Sequence, residues 1–309
     1  MIQNELHSGI AHNLLFLKSA GEVLSALKED GIPAIVLKGV ALIETIYPHI
    51  GMREMSDIDL LIKDKDYPLA SRRLKNLGYD LHPGTSVPTW VREGKIAVIV
   101  QLHTRIPYLN EKELWGNLIP IVINSEDALT LPLEQNLIYL CYHLAVSHTN
   151  SEQKWIEDIR WFSVRYGAEL DWRLTVDLIR KHRLQAPCYY VFLEAKRRFD
   201  SPIPDFVLSE IKPRDGLRSR IFRDLLNERK FTPYISYALP VLIDPRLIFP
   251  YLFPSVKDLK LRYNKQGPFV YLYYIVRPLY LVSRGLRALI ELSLSHLESL
   301  DNTKKKMSC

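Results

Sequence analysis

Two aspartates separated by one residue are the first feature of the sequence that could do chemistry. Asp57 and Asp59 lie in the run DIDLLI, residues 57–62, whose apolar, β-branched composition predicts a strand. Side chains alternate along a strand, so both carboxylates project from one face and Ile58 points to the other. Two neighbouring carboxylates repel each other unless a cation lies between them, and Mg²⁺ prefers one or two carboxylates together with phosphate and water. The spacing therefore predicts a magnesium site.

A lysine and a glycine precede these acids at a predicted corner between a strand and a helix. Residues 34–37 are a short apolar run typical of a buried strand, and apolar residues recur at helical spacing from Val40. Gly39 lets the backbone come close to a ligand, and the first N–H groups of a helix, beside Lys38, suit an anion. Isolated aspartates are often only solvated, but this order of motifs favours a site for a nucleoside triphosphate.

The segment LKGVALIETIYPHIGMREMSDIDLLI, residues 37–62, resembles the signature of the nucleotidyltransferase superfamily. In particular, it is similar to a bacterial group of largely uncharacterised nucleotidyltransferases with the pattern LKG…Y…R…DiDlL. A helical WIEDI segment at 155–159 and the C-terminal segments 246–250 and 262–263 extend the similarity over most of the chain. The resemblance implies Mg²⁺-dependent transfer of a nucleoside monophosphate from an NTP to an unidentified acceptor, with release of pyrophosphate.

The same resemblance implies roles for individual residues. These are Asp57 and Asp59 as Mg²⁺ ligands, and Lys38, Gly39, Val40 and Arg53 as contacts of the triphosphate. Neutralisation of the two aspartates is an equally good interpretation of Arg53. Asp158, in the WIEDI segment, either reaches the active cleft or serves its own helix as a cap or an ion-pair partner of Arg160 or Lys154.

The predicted strand KIAVIVQLH, residues 95–103, carries the main departure from the family pattern. The superfamily usually has a third carboxylate here, and its position is taken by Gln101. An amide oxygen can bind Mg²⁺, but it adds no negative charge and cannot act as a base. His103, on the same face, is either a replacement proton acceptor or a structural hydrogen-bonding residue. The alternative function is thus a catalytically silent relative that binds nucleotide or RNA.

The elements that must position these residues change in character along the chain. Periodicity predicts helices and short strands in alternation first, and helices alone after about residue 130. The expected fold is α+β, a nucleotidyltransferase-type mixed sheet flanked by helices, with a catalytic domain over 1–128 and a helical domain over 129–309. The predicted strands cover 34–37, 57–62, 95–103 and 119–123. The predicted helices cover 5–29, 40–47, 66–77, 133–148, 153–166, 172–182, 187–199, 218–228 and 269–300.

Composition excludes several other classes of protein. The chain has 309 residues, of which 47% are hydrophobic and 25% charged, which is a globular composition. Three cysteines do not make a disulfide scaffold or a zinc site, and no P-loop or Rossmann fingerprint occurs. No secretory signal is visible, and the longest uncharged stretch, 135–151, is too short and too polar for a membrane span. We therefore expect a cytoplasmic protein.

The positive charge is concentrated near the C terminus. From residue 255 onward there are ten lysines and arginines against four acids, whereas the rest of the chain is balanced. Nine aromatic residues are interleaved with basic ones between 249 and 280. This pattern is compatible with binding RNA, with lying on an anionic membrane surface, or with simple packing of the aromatic residues against the core.

Overall fold

The computed structural model describes residues 2–82, 85, 87–147, 153–214, 216, 219, 222–223, 249, 252–256, 259–260 and 267–283. The strands are β1 (Ala34–Leu37), β2 (Ile58–Ile62), β3 (Asp80–His82), β4 (Thr89–Arg92), β5 (Val98–His103), β6 (Ile119–Ile123) and β7 (Glu126–Thr130). The helices are α1 (Ile2–Glu29), α2 (Lys38–Thr45), α3 (Tyr67–Asn76), α4 (Glu111–Leu114), α5 (Leu133–Tyr142), α6 (Gln153–Tyr166), α7 (Trp172–Lys181), α8 (Gln185–Phe199) and α9 (Asp205–Ile211).

The described strands form one mixed sheet in the order β3-β4-β5-β2-β1-β7-β6. β2 lies inside it, antiparallel to β1 and parallel to β5. The register sets Leu37 beside Asp59, Asp59 beside Gln101, and Gln101 beside Thr89. Residues paired across strands point to the same face, so this row places Asp59 and Gln101 side by side on one face of the sheet.

Two apolar clusters cover the two faces of the sheet. The larger one contains Ile58, Leu60 and Ile62 of β2 together with residues of α1 and α3. The smaller one contains Leu61 with residues of β1, α4 and α5. Asp59 of β2 therefore shares a face with the smaller cluster, opposite Ile58, as the predicted alternation requires.

The larger cluster continues into α5, α6, α7, α8 and α9, so these helices share one core with the sheet and pack against one another. After α5, residues 143–147 form a π-helical turn. The expected fold class, a mixed sheet with flanking helices followed by a mainly helical part, is confirmed. The division at residue 128 stays a prediction; that position lies within β7, which runs to Thr130 and pairs with β1.

Short elements account for most differences from the sequence prediction. The expected strand at 95–103 begins only at Val98, and α5 ends at Tyr142 rather than at 148. The strands β3, β4 and β7 and the helices α4 and α9 were not predicted, since their lengths of three to seven residues leave little periodicity. The helix expected at 218–228 and the end of the one at 269–300 fall largely outside the described residues.

Candidate active site

The predicted corner between strand and helix is present, and its strain lies at the lysine. β1 ends at Leu37 and α2 begins directly at Lys38, whose φ of 51° lies in the left-handed region. A non-glycine residue in this region costs about 1 kcal/mol or more and persists only when its surroundings hold it. What holds Lys38 is its side chain, which is only 7% exposed and bound to a carboxylate.

That carboxylate is Asp59, which is 2% exposed. Its Oδ1 lies 2.6 Å from Lys38 Nζ and 2.8 Å from His103 Nε2. Burial alone would raise the pKa of Asp59, but the Lys38 ammonium and the hydrogen bond from His103 lower it to about 2. Because an ionised carboxylate only accepts hydrogen bonds, the proton in the bond with His103 belongs to Nε2, and neutral His103 keeps its lone pair on Nδ1.

Asp57 precedes β2 by one position and is half-buried. Its Oδ1 accepts a hydrogen bond from Ser56 Oγ at 3.0 Å. Burial raises the pKa of Asp57, the negative charge of Asp59 raises it further, and the Lys38 ammonium offsets only part of this rise. The two predicted carboxylates thus lie close enough to repel each other, and both are close to Lys38.

Gln101 occupies the place expected of a third acid. It pairs directly with Asp59 across β2 and β5 and is half-exposed, and its side-chain amide has no hydrogen-bonding partner among the described residues. The described part of the chain gathers no group of three His, Cys, Asp or Glu side chains for a metal ion. The oxygen groups predicted for this corner are two carboxylates and the amide oxygen of Gln101. This all-oxygen set fits Mg²⁺, which completes its octahedron with phosphate and water.

Arg53 has a different partner from the two that the sequence suggested. Its Nε and Nη2 donate to the two oxygens of Asp158 at 2.7 and 3.0 Å, and Tyr47 donates to Asp158 Oδ1 at 2.6 Å. All three side chains are buried. Burial would lower the pKa of Arg53, but Asp158 raises it above its ordinary value, so the guanidinium is charged. Asp158 on α6 thereby reaches the corner through Arg53, rather than pairing with Arg160 or Lys154 as one interpretation had it.

The need for glycine at position 39 follows from this network. A Cβ built on Gly39 would lie 2.5 Å from Nη1 of Arg53. The close approach at Gly39 is made by Nη1 of the Arg53 guanidinium against the backbone of α2; the approach of a ligand, which the sequence predicts, stays a prediction. The side chain of the next residue, Val40, is fully buried in the larger core cluster, so only its backbone can face the corner.

Sequence reasoning missed one aromatic residue beside the acids. Tyr139 of α5 belongs to the smaller cluster, and burial and the charges of Asp59 and Asp57 raise its pKa well above the ordinary value. Its position 80 residues after the acids gave no local signal. Two open cavities, of about 700 and 440 Å³, lie elsewhere, around Glu44 and Arg165, and none of the predicted site residues lines them.

Comparison with known proteins gives the family of this chain. A family model described as uncharacterised nucleotidyltransferase matches residues 1–200. A search of curated proteins found no match.

Three solved structures are similar at low identity. ANT(2")-Ia in complex with adenylyl-2"-tobramycin is 18% identical, with a TM-score of 0.41 over 55% of this chain and 97% of its own. The solution structure of the antibiotic-resistance factor ANT(2")-Ia is 17% identical, with a TM-score of 0.38 over 64% and 98%. An antigenic nucleotidyltransferase-like protein from Paracoccidioides brasiliensis is 12% identical, with a TM-score of 0.40 over 64% and 92%. Because the family model covers more than half of the sequence, the chain belongs to the uncharacterised nucleotidyltransferase family.

Proposed function

We propose that this protein transfers a nucleoside monophosphate from an NTP to an acceptor and releases pyrophosphate, in a Mg²⁺-dependent reaction. One observation carries the proposal. The carboxylates of Asp57 and Asp59 lie beside the Lys38-Gly39 corner, on one face of the sheet. The ammonium of Lys38, at the junction of β1 and α2, binds Asp59. Membership of the family supports nucleotidyl transfer in general.

The acid pair supplies the metal-binding half of the proposed site. Asp57 and Asp59 would hold Mg²⁺, with the Gln101 amide oxygen as a further neutral ligand. Bound there, Mg²⁺ would neutralise phosphate charge and orient the triphosphate. The remaining contribution of these residues is position, because the pairing of β2 with β5 fixes Asp59 beside Gln101, and Asp57 directly precedes β2.

The corner supplies the phosphate-binding half. No side chain caps the N terminus of α2, so the backbone N–H groups of Gly39 and Val40 are the donors that the first turn offers. The Lys38 ammonium has three donors, of which one binds Asp59, leaving others for a phosphate oxygen. Nη1 of Arg53, held against Gly39 by Asp158, adds positive charge at the same place. Positioning of this kind supplies most of the catalysis in phosphoryl transfer.

His103 is the proposed proton acceptor. Its Nε2 is bound to Asp59, so Nδ1 is the atom available to take the proton of an acceptor hydroxyl or amine. In the step, a bond forms between the acceptor atom and the α-phosphorus, the bond from that phosphorus to the pyrophosphate oxygen breaks, and the acceptor proton passes to Nδ1. The Asp59 carboxylate stabilises the imidazolium that results.

The direct test is transfer of label from each α-³²P NTP to fractions of a cell extract in the presence of Mg²⁺. We expect labelled product with the wild type and none with Asp57→Asn/Asp59→Asn. The matched control is Asp80→Asn/Asp177→Asn, which changes two exposed aspartates elsewhere and should transfer label normally. Transfer by the Asp57→Asn/Asp59→Asn variant at the wild-type rate would remove these acids from the mechanism.

A second candidate is a catalytically silent relative that binds nucleotide or RNA, and it is favoured by the amide of Gln101 opposite Asp59. Gln101→Asp distinguishes the two. In an enzyme, this change completes the acid row and raises the transfer rate, whereas in a silent binding protein the wild type would bind NTP without producing pyrophosphate. We assign the protein to the cytoplasm, which is consistent with the free, buried Cys141 and Cys188.

A further inference from the structure

The last described segment, residues 268–283, turns large apolar side chains towards solvent. Residues 268–272 form a 3₁₀ turn and 273–283 are helical. Phe269 is 76% exposed, Leu279 68% and Ile275 64%. The other strongly exposed apolar or aromatic side chains of the segment are Tyr271, Leu272, Val276, Tyr280 and Val282. Exposed apolar patches of this extent mark binding surfaces more often than plain surface.

The orientation of this segment is the reverse of the usual amphipathic helix. Its inward side carries Val270, Arg277 and Leu281, all buried, and Tyr274 Oη donates to Pro254 O at 2.8 Å. An ordinary surface helix turns its charged residues outward. Here the one charged side chain of the described segment points inward and the aliphatic residues point outward. On the outer face, Phe269, Leu272, Ile275 and Leu279 are therefore largely exposed to solvent.

The sequence around this face carries a net positive charge. Between residues 249 and 283 the sequence has five basic residues and one acid, Asp258. Of the described residues in this stretch none is acidic, and Lys260 is exposed. Two further exposed aromatic residues, Phe249 and Phe253, precede the Pro254 to which the segment is attached. An apolar face in a stretch of sequence with excess positive charge matches a surface that is both apolar and anionic.

Three partners could cover this face: RNA, a second copy of the chain or a lipid surface. The first two fit these observations less well. RNA-binding faces present aromatic rings and cations to bases and phosphates, but the outer row here is largely aliphatic and Arg277 is 5% exposed. A second copy of the chain would bring two positively charged stretches together across a two-fold axis. A lipid surface offers acyl chains for the aliphatic side chains and anionic headgroups for the lysines and arginines.

We propose that residues 268–283 dock on the surface of an anionic lipid bilayer. Phe269, Leu272, Ile275 and Leu279 enter the boundary between headgroups and acyl chains, and the basic residues of the surrounding sequence bind the headgroups. The tyrosines of the segment suit the level of the headgroups. None of the described helices is long and apolar enough to cross a membrane, so the interaction is with one surface.

The test is co-sedimentation of the full chain with phospholipid vesicles. We expect the wild type to sediment with phosphatidylcholine vesicles that contain about 30 mol % phosphatidylglycerol, which makes the surface negative. On vesicles of phosphatidylcholine alone it should remain largely in the supernatant. Ile275→Ser/Leu279→Ser should lower the partition coefficient on anionic vesicles by about tenfold or more, because two aliphatic side chains no longer enter the bilayer.

The matched control is Leu174→Ser/Leu193→Ser, which removes two exposed leucines from α7 and α8 and should sediment like the wild type. Equal partition of the Ile275→Ser/Leu279→Ser variant and the wild type would overturn the proposal, as would equal binding to neutral vesicles or no binding at all. Retention of a labelled single-stranded RNA, lost in the same variant, would assign the face to RNA instead. A concentration-dependent dimer lost in that variant would assign it to a second copy.

Discussion

Two buried carboxylates near the same corner differ in how fully their oxygens are hydrogen-bonded. Asp59 and Asp158 are both 2% exposed. Asp158 receives three hydrogen bonds, on both oxygens, from a guanidinium and a tyrosine. The contacts of Asp59 fall on Oδ1 alone, and its strand neighbour Asp57 is half-buried, repelled by it, and bound only to Ser56 among the described residues.

This difference separates a structural centre from the acid pair that we propose as the reactive centre. The Asp158 network is closed, since each charge in it has its counter-charge and its donors. The acid pair carries two negative charges; the ammonium of Lys38 binds Asp59 directly, whereas the guanidinium of Arg53 is bound to Asp158, and Gln101 is the strand neighbour of Asp59. A buried group that is fully paired stabilises or positions, whereas under-compensated carboxylates beside an uncapped helix end suit a cation and a phosphate.

The largest effect is expected for Asp57→Asn, which breaks the reactive centre alone. Nucleotidyl transfer should fall about 10³-fold, the scale for loss of a group that fixes transition-state charge. Because the folded-state pKa of Asp57 is raised, its ionised form destabilises the fold at pH values above that pKa, and the variant lacks this charge. In metal-free buffer at pH 7, thermal unfolding should therefore show an unchanged or higher Tm. A fall in both Tm and transfer activity would show that Asp57 has a structural role.

Asp158→Asn should act mainly on stability, in contrast to Asp57→Asn, which should act mainly on nucleotidyl transfer. It leaves the buried Arg53 guanidinium without a carboxylate, which costs about 3–5 kcal/mol of unfolding free energy. Urea denaturation measures this loss. The double variant Arg53→Met/Asp158→Leu sharpens the test, because removal of both charges should recover most of the stability while transfer activity stays low. A double variant as active as the wild type would show that Arg53 does not serve the corner.

Gly39→Ala probes the contact between the two centres. The new Cβ would meet Nη1 of Arg53 at 2.5 Å. The guanidinium is fixed by Asp158, so either that ion pair or the start of α2 must shift, at about 1–3 kcal/mol. We expect a lower urea midpoint and reduced transfer activity. The control is Gly9→Ala, where nothing lies within 4 Å of the added Cβ. Equal behaviour of the two variants would contradict the contact.

Tyr47→Phe should have the smallest effect. It removes one of three hydrogen bonds to Asp158, which costs about 1.5 kcal/mol for a bond to a charged group. The two bonds from Arg53 remain, so the guanidinium keeps its place and the transfer rate should stay within about twofold of the wild type. Activity as low as that of Asp57→Asn would mean that the hydroxyl takes part in the chemistry.

The sequence predicted that Asp57 and Asp59 share a face beside Lys38 and Gly39, because this information is local; their catalytic roles stay predictions. Asp57, Asp59, Lys38 and Gly39 lie within 22 residues, and strand alternation fixes their face. The partner of Arg53 could not be predicted, since Asp158 follows 105 residues later on another element. The same holds for Tyr139 beside the acids and for the three-residue strand β3, which depends on pairing with β4 rather than on its own pattern.

The central claim is that the acid pair, and not the Asp158 network, holds a divalent cation with the nucleotide. Electron paramagnetic resonance of Mn²⁺ tests it directly, by titration of the protein in the presence of non-cleavable α,β-methylene NTP analogues. We expect wild type and Tyr47→Phe to bind Mn²⁺ alike and Asp57→Asn to bind it about 10²-fold more weakly, since one of the two carboxylate ligands is lost. Equal Mn²⁺ affinity in Asp57→Asn and the wild type would contradict the account.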